Sequence, residues 1–148
     1  MADELADSMR AIYDAATPAF NRGDFDLALG TLPEDVEWHA PREDADHGVY
    51  RGPEAIKHFF EEMRSVFDGW RVEVRQVEQP SDRTALVYHV IRGTSRGAEV
   101  PVEVHTYELW EFAELEPGSH RVWQEVGLRP ARVRQFFSRD EALAAASG

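Results

Sequence analysis

The chain has 148 residues, 43% hydrophobic and 11% aromatic, enough apolar material for one folded domain with its own core. Its 16 Lys and Arg stand against 28 Asp and Glu, and a net charge of −12 repels nucleic-acid backbones and anionic lipid. There is no cysteine, so disulfides, thiolate metal sites and thiol nucleophiles are excluded.

The first ten residues, MADELADSMR, are acidic and amphipathic with no apolar core run, unlike a secretory signal. No stretch approaches the roughly 18 apolar residues of a membrane span, so a cytoplasmic protein with no membrane and no nucleic-acid partner is expected. Leu5, Met9, Ile12, Ala16 and Phe20 predict a first amphipathic helix, which Pro18 should kink or break by removing a hydrogen bond. Gly23 suits a left-handed helix end and Asp24 a cap for a short second helix over Phe25–Leu29. Val36–Ala40 reads as a short strand, and the acidic stretch Pro41–His47 as a loop able to act as a flap.

Arg51-Gly52-Pro53 is a turn into a third helix, with Pro53 fit for the first helical turn. Ile56, Phe59, Phe60, Met63 and Phe67 fall on one stripe of it, opposite Lys57, His58, Glu61, Glu62 and Arg64. After Asp68-Gly69 come strands over Trp70–Val77 and Thr84–Arg92, separated by a turn at Gln79-Pro80-Ser81-Asp82. A turn over Gly93–Gly97 leads to a long strand, Val100–Phe112. Glu116–Ser119 is a turn, Val122–Val126 a possible strand and Ala131–Ser138 the last strand. Ser138, three residues before Glu141, forms the capping box of a short C-terminal helix. Helices first and then strands joined by tight turns predict an α+β fold, an antiparallel sheet with helices on one face.

The segments DVEWHAP, GVYRGPEAIKHFFEEMRSVFDGWRVEV, RGTSRGAEVPVEV, YELWEF and RVRQFFSRDEALAAASG, in that order, resemble a SnoaL-like domain of the nuclear transport factor 2-like superfamily. The likeness spans about residues 5–147 and treats 1–148 as a single domain. It implies a cone-shaped α+β barrel, a strongly curved mixed or antiparallel sheet wrapped around three N-terminal helices, with a short C-terminal helix. It also implies a pocket for a small apolar ligand at the open end and a homodimer through the outer sheet face. The chain departs from the family over 113–130, an apparent insertion containing Trp123 that reads as an extended hairpin, a lid or part of a dimer contact.

Alternation along the long strand puts Val102, Val104, Thr106, Glu108, Trp110 and Phe112 on the more apolar, inner face. Glu103, His105, Tyr107, Leu109 and Glu111 take the outer face, where His105, Tyr107 and Leu109 would form an exposed dimer row. Burial should raise the pKa of Glu108 toward acid–base values, unless an arginine pairs with it. In ketosteroid isomerase a carboxylic acid at the roughly equivalent position is kept neutral to donate a hydrogen bond, and the resemblance implies that role for Glu108. Ala85, Val87, His89 and Ile91 share an inner face, as do Val133, Gln135 and Phe137, so His89 and Gln135 are polar residues for the same cavity. His39, beside Trp38, lies where the family often brings a polar group to the pocket mouth; a lone histidine on an apolar face is more often a satisfied structural group than a catalyst.

The isomerase's aspartate base has no carboxylate match at Trp38, His39 or Ala40, and its helix tyrosine aligns nearest Ala16, with Tyr13 one turn away. No Arg/Asp/Asp set of the epoxide hydrolases is present. That leaves Glu108, His39 and His89 as catalytic candidates, with Trp38, Tyr50, Phe59, Trp70, Trp110 and Gln135 as ligand contacts. The histidines at 39, 47, 58, 89, 105 and 120 show no ligand-spaced pair, so no metal and no other cofactor is expected. Three readings follow. The first is a cofactor-independent cyclase, isomerase or hydro-lyase acting on a small apolar oxygenated substrate. The second is a non-catalytic binder or sensor, and the third a dimerisation module with a filled pocket.

Overall fold

A computed structural model describes residues 4–41 and 48–147. The flap expected over Pro41–His47 falls, from residue 42 onward, outside the described residues. Helix α1 runs Glu4–Arg22, α2 Phe25–Leu29, α3 Gly52–Ser65, α4 Arg121–Val126 and α5 Arg139–Ser147. The strands are β1 Glu37–His39, β2 Val49–Arg51, β3 Phe67–Ser81, β4 Thr84–Ser95, β5 Pro101–Ala113 and β6 Arg129–Phe136. They form one sheet in the order β2-β1-β6-β5-β4-β3, with β1 parallel to β6 and every other pairing antiparallel. The fold is α+β with a mixed, curved sheet that does not close. Register shifts along β3, at Asp68/Arg71, Val74/Gln76 and Glu78/Ser81, mark where its ladder bends.

The core lies between the inner sheet face and α1, α2 and α3. Met9, Phe25, Ile56, Phe60, Trp70, Val87, Trp110 and Val133 are buried there in one cluster. Phe20, Phe25, Phe60 and Trp70 pack ring against ring, with centroids 4.9–6.5 Å apart. Gly23 adopts φ +84°, and the Asp24 side chain accepts from Leu27 N, so the α1–α2 junction forms as its residues predict. Gly52 must be glycine: φ is +84°, and a Cβ there would stand 2.8 Å from the Glu34 carbonyl oxygen.

Several local expectations are corrected. Helix α1 continues through Pro18 without a local break, one of the two effects expected of it; the carbonyl deprived of its donor is that of Asp14, on the exposed face where water can serve it. Phe67 begins β3 rather than ending the α3 stripe, because the helix stops at Ser65. Strand β3 continues through Pro80 and Ser81, which leaves the turn at Asp82-Arg83. Phe137 lies beyond β6 and is 58% exposed, not inward. Strand β2, only three residues, carried no signal strong enough to be read.

The 113–130 segment is not an extended hairpin. After Ala113 it is loop, then α4, then the start of β6. Val122–Val126 is helical because its ends are built for a helix. The His120 ring accepts from Val122 N at 3.1 Å, and Gly127 at φ +90° returns its N–H to Trp123 O at 2.8 Å. Val122, Trp123 and Val126 face the core together. Trp123 is 1% exposed, and its indole donates to Thr31 O at 2.6 Å, tying α4 to the loop after α2.

Helix α5 lies on the other side of the sheet. Ser138 Oγ accepts from Glu141 N as the capping box requires, and Arg139 makes a two-pronged pair with Glu78 at 2.9 and 2.6 Å. Ala142 packs on Leu86 and Leu109. Leu109 is therefore fully buried, and the expected exposed row of His105, Tyr107 and Leu109 loses its third member.

Candidate functional site

The inner faces of the strands and α1 enclose a cavity of about 80 Å³. Every strand except β2 and every helix except α5 contributes to its wall. Tyr13 and Phe20 come from α1, Phe60 from α3, Trp38 from β1 and Trp70 from β3. His89, Glu108, Gln135 and Trp123 arrive from β4, β5, β6 and α4. Apart from a few polar groups the lining is hydrocarbon and aromatic ring.

Glu108 sits where alternation along β5 places it, between Thr106 and Trp110 on the inner face, and is 3% exposed. Its neighbours in the sheet supply its partners. Gln135, directly opposite on β6, donates from Nε2 to Oε2 at 3.1 Å. His89, on β4 opposite Thr106, places Nε2 3.0 Å from the same oxygen and is itself 3% exposed. The Tyr13 hydroxyl donates to Oε1 in a short hydrogen bond, and the Trp110 indole donates to Tyr13 Oη at 3.0 Å and more distantly to Oε1 at 3.4 Å. Thr106 Oγ1 lies 2.8 Å from His89 Nδ1, on the far side of the ring. Four donors thus converge on one buried carboxylate, and its partners include no arginine: Arg132 and Arg134 pair with Glu111 on the outer face.

These partners reverse the expected pKa shift. Burial pushes the Glu108 carboxyl up, but the charge attraction of His89 and the hydrogen bonds from His89, Tyr13 and Gln135 outweigh it. The group is held below the usual carboxylate range, as an ionised acceptor rather than a neutral acid. Burial, followed by the adjacent Glu108 charge and the hydrogen bond to it, pushes Tyr13 well above the ordinary tyrosine value. Tyr13 therefore keeps its proton and acts as a donor. A desolvated carboxylate beside a neutral phenol and an imidazole is a set able to take, hold and return one proton.

The structure brings His89, Glu108, Gln135, Trp38, Trp70 and Trp110 to one cavity. It does not bring His39, Tyr50 or Phe59. Strand β1 turns Trp38 inward, so its neighbours face the other way, and His39 Nε2 pairs with Glu37 Oε1 at 2.9 Å. Its expected place at the pocket mouth is corrected. Tyr50 and Phe59 stack on each other with centroids 4.6 Å apart, and Phe60 takes the cavity position instead. Tyr13 and Thr106 are the participants that sequence reasoning did not assign to the site. Tyr13 lies at i+4 from Met9 and i−3 from Ala16, so the α1 stripe did contain the signal. Among the described residues no three His, Cys, Asp or Glu side chains gather as metal ligands, and no helix is long and apolar enough to cross a membrane.

The architecture is shared with solved structures of low sequence identity. A hypothetical protein with a ketosteroid isomerase-like fold from Catenulispora acidiphila, solved in complex with trimethylamine, aligns with TM-score 0.63 at 15% identity over 92% of each chain. SalBIII, an epoxide hydrolase/cyclase-like enzyme of pyran ring formation in the polyether salinomycin, aligns with TM-score 0.64 at 16% identity, over 95% of this chain and 96% of its own. TerC, co-crystallised with polyporic acid, gives TM-score 0.62 at 17% identity over 95% and 98%. At such identities the likeness concerns fold alone. No functionally curated protein matches the sequence. The family model for the SnoaL-like domain matches residues 10–115, well over half of the chain, and the protein belongs to that family.

Proposed function

We propose that the protein is a cofactor-independent acid–base enzyme that moves a proton on a small, largely apolar, oxygenated substrate, as an isomerase, cyclase or hydro-lyase does. The observation that carries this reading is the ionised Glu108, buried in an aromatic cavity and held by Tyr13, His89 and Gln135. In the free protein all acceptor positions of Glu108 are engaged. Substrate entry would move the Tyr13 hydroxyl from Glu108 Oε1 to the substrate's oxygen. That exchange frees Oε1 to take a proton from the carbon next to a carbonyl, while the electron pair of the broken C–H bond shifts onto the oxygen Tyr13 now faces. Return of the proton to a second carbon completes an isomerisation without net redox change. His89 and Gln135 keep Oε2 in place throughout.

The size of the cavity favours a second reading. At about 80 Å³ it is well below the ~300 Å³ at which drug-sized sites begin, so a non-catalytic binder of a very small molecule is the competing function. One experiment separates them. Small cyclic ketones in D₂O are followed by proton NMR with the wild-type protein and with E108Q. Acid–base catalysis predicts loss of the α-proton signals that slows by roughly 100-fold or more in the variant. Ketone that binds without exchanging protons would leave the binder. The homodimer is also a proposal, resting on the outer face where Tyr88 and Tyr107 stack with centroids 4.7 Å apart and Tyr88 Oη meets His105 Nδ1 at 2.6 Å.

A further inference from the structure

Strand β5 holds the His89 ring at both ends. His89 stands directly opposite Thr106 in the β4–β5 pairing, and its imidazole reaches along β5 from Thr106 to Glu108. Nδ1 lies 2.8 Å from Thr106 Oγ1, and Nε2 lies 3.0 Å from Glu108 Oε2. Residues two apart on one face of a strand are spaced by about 6.6–6.8 Å, a gap that an imidazole and two hydrogen bonds can bridge. His89 and Thr106 are 3% and 4% exposed, so bulk water is a poor substitute for either partner. Among the described residues, Thr106 Oγ1 is the only hydrogen-bond partner of Nδ1.

The chemistry of these partners fixes where the protons sit. An ionised carboxylate only accepts, so Nε2 carries a proton. A hydroxyl both gives and accepts, so Thr106 donates to Nδ1 of a neutral ring and accepts from Nδ1 of a charged one. A half turn of the ring about Cβ–Cγ would put Cδ2 against the hydroxyl and Cε1 against the carboxylate. Both hydrogen bonds would be lost, and Oε2 would be held by Gln135 alone. His89, Glu108 and Gln135 line the cavity, whereas Thr106 stands behind the ring and outside the cavity wall. It can therefore bias the ring without touching a ligand.

We infer that Thr106 is a positioning residue, whose hydroxyl selects the His89 orientation and tautomer that present Nε2–H to Glu108 Oε2 and so leave Oε1 as the oxygen that meets the substrate. The consequence for rate rests on the acid–base reading. The state of the ring does not, and it is measured separately.

The test compares wild type with T106V, close in volume but without the hydroxyl, and with T106S, which keeps it. Long-range ¹H–¹⁵N spectra of the ¹⁵N-labelled full-length proteins report the His89 ring nitrogens, assigned by their loss in H89Q. Wild type and T106S should each show one set of His89 signals with Nε2 protonated, and T106V a second tautomer or ring orientation. With cyclopentanone in D₂O, α-proton exchange at saturating ketone should slow by about 3–10-fold in T106V and stay within about twofold in T106S. The ketone Kd should change by less than about twofold in either, because Thr106 lies outside the wall. T106A replaces T106V in every comparison if the valine variant does not fold. An unprotonated Nε2 in the wild type overturns the inference. So do T106V signals that match those of the wild type, or a T106S protein that behaves as T106V does. Wild type that gives the expected His89 signals, and loses them in T106V, but exchanges no α-proton would sustain the inference and defeat the acid–base reading alone.

Discussion

Replacing Glu108 by alanine and by glutamine separates the value of its charge from that of its hydrogen bonds. Alanine leaves the Tyr13 hydroxyl, His89 Nε2 and Gln135 Nε2 without the acceptor they share. Each stranded donor costs about 1–3 kcal/mol before relaxation. Breaking a buried pair by removing one partner costs about 3–5 kcal/mol in all, and we expect E108A in that range. For a chain of this size that lowers Tm by roughly 6–20 °C. Glutamine can be rewired. Its carbonyl oxygen accepts from Tyr13 and Trp110, and its amide donates to His89 Nε2 and to a flipped Gln135 Oε1, with Thr106 turning its hydroxyl to follow the His89 tautomer. All partners stay satisfied, and E108Q should cost about 1 kcal/mol. Urea titrations read by tryptophan fluorescence and circular dichroism give both values from the midpoints. Equal destabilisation by alanine and glutamine would refute the rewiring argument and show that the negative charge itself holds the site together. The pH dependence carries the same logic. A folded-state pKa below the unfolded value means that ionised Glu108 stabilises the fold above the unfolded carboxylate value of about 4.3, and the contribution drains as pH falls through the lowered folded value. The gap between wild type and E108Q should therefore close on acidification below about pH 4, not on alkalinisation.

G52A forces a Cβ into a left-handed backbone and against Glu34 O, and should cost about 2 kcal/mol or more in the same titration; a neutral result would mean that the turn into α3 can reshape. W123A removes a buried indole and its bond to Thr31 O, so a loss of about 3–5 kcal/mol is expected; a loss under about 1 kcal/mol would show α4 to be weakly docked. Light scattering at micromolar concentration should find a dimer that Y88E and Y107E convert to monomer, whereas a monomeric wild type would remove the outer-face interface.

What the sequence disclosed depended on how far each pattern extends. Thirteen residues of β5 give enough alternation to place Glu108, Thr106 and Trp110 on the inner face, and His89 follows from β4 in the same way. The sign of the Glu108 shift was not legible, because desolvation acts wherever the group is buried, whereas the three partners that lower it come from α1, β4 and β6. Tyr13 was within reach but lay inside a stripe read only for its apolar members. Over the six residues of α4 a helical and an extended reading of Val122, Trp123 and Val126 are indistinguishable, and only the caps at His120 and Gly127 decide. His39 was misjudged because a three-residue strand leaves its facing to its neighbours. Leu109 looked exposed for a different reason: β5 alone gives no hint that α5 returns to cover it.

The register of β5 has a further consequence. A slip of two residues along β4 or β6 would leave every apolar side chain on its original face, so hydrophobic alternation cannot forbid it. The polar residues can. In the native register Gln135 stands opposite Glu108 and His89 opposite Thr106; moving β6 by two places Val133 or Phe137 across from the carboxylate and withdraws a donor from it. Either two-residue slip of β6 would bury a charge that has lost a partner, at a cost of about 3–5 kcal/mol against a net stability of about 5–15 kcal/mol. The groups available for chemistry thus also act as a ratchet that favours one alignment of β6 on β5.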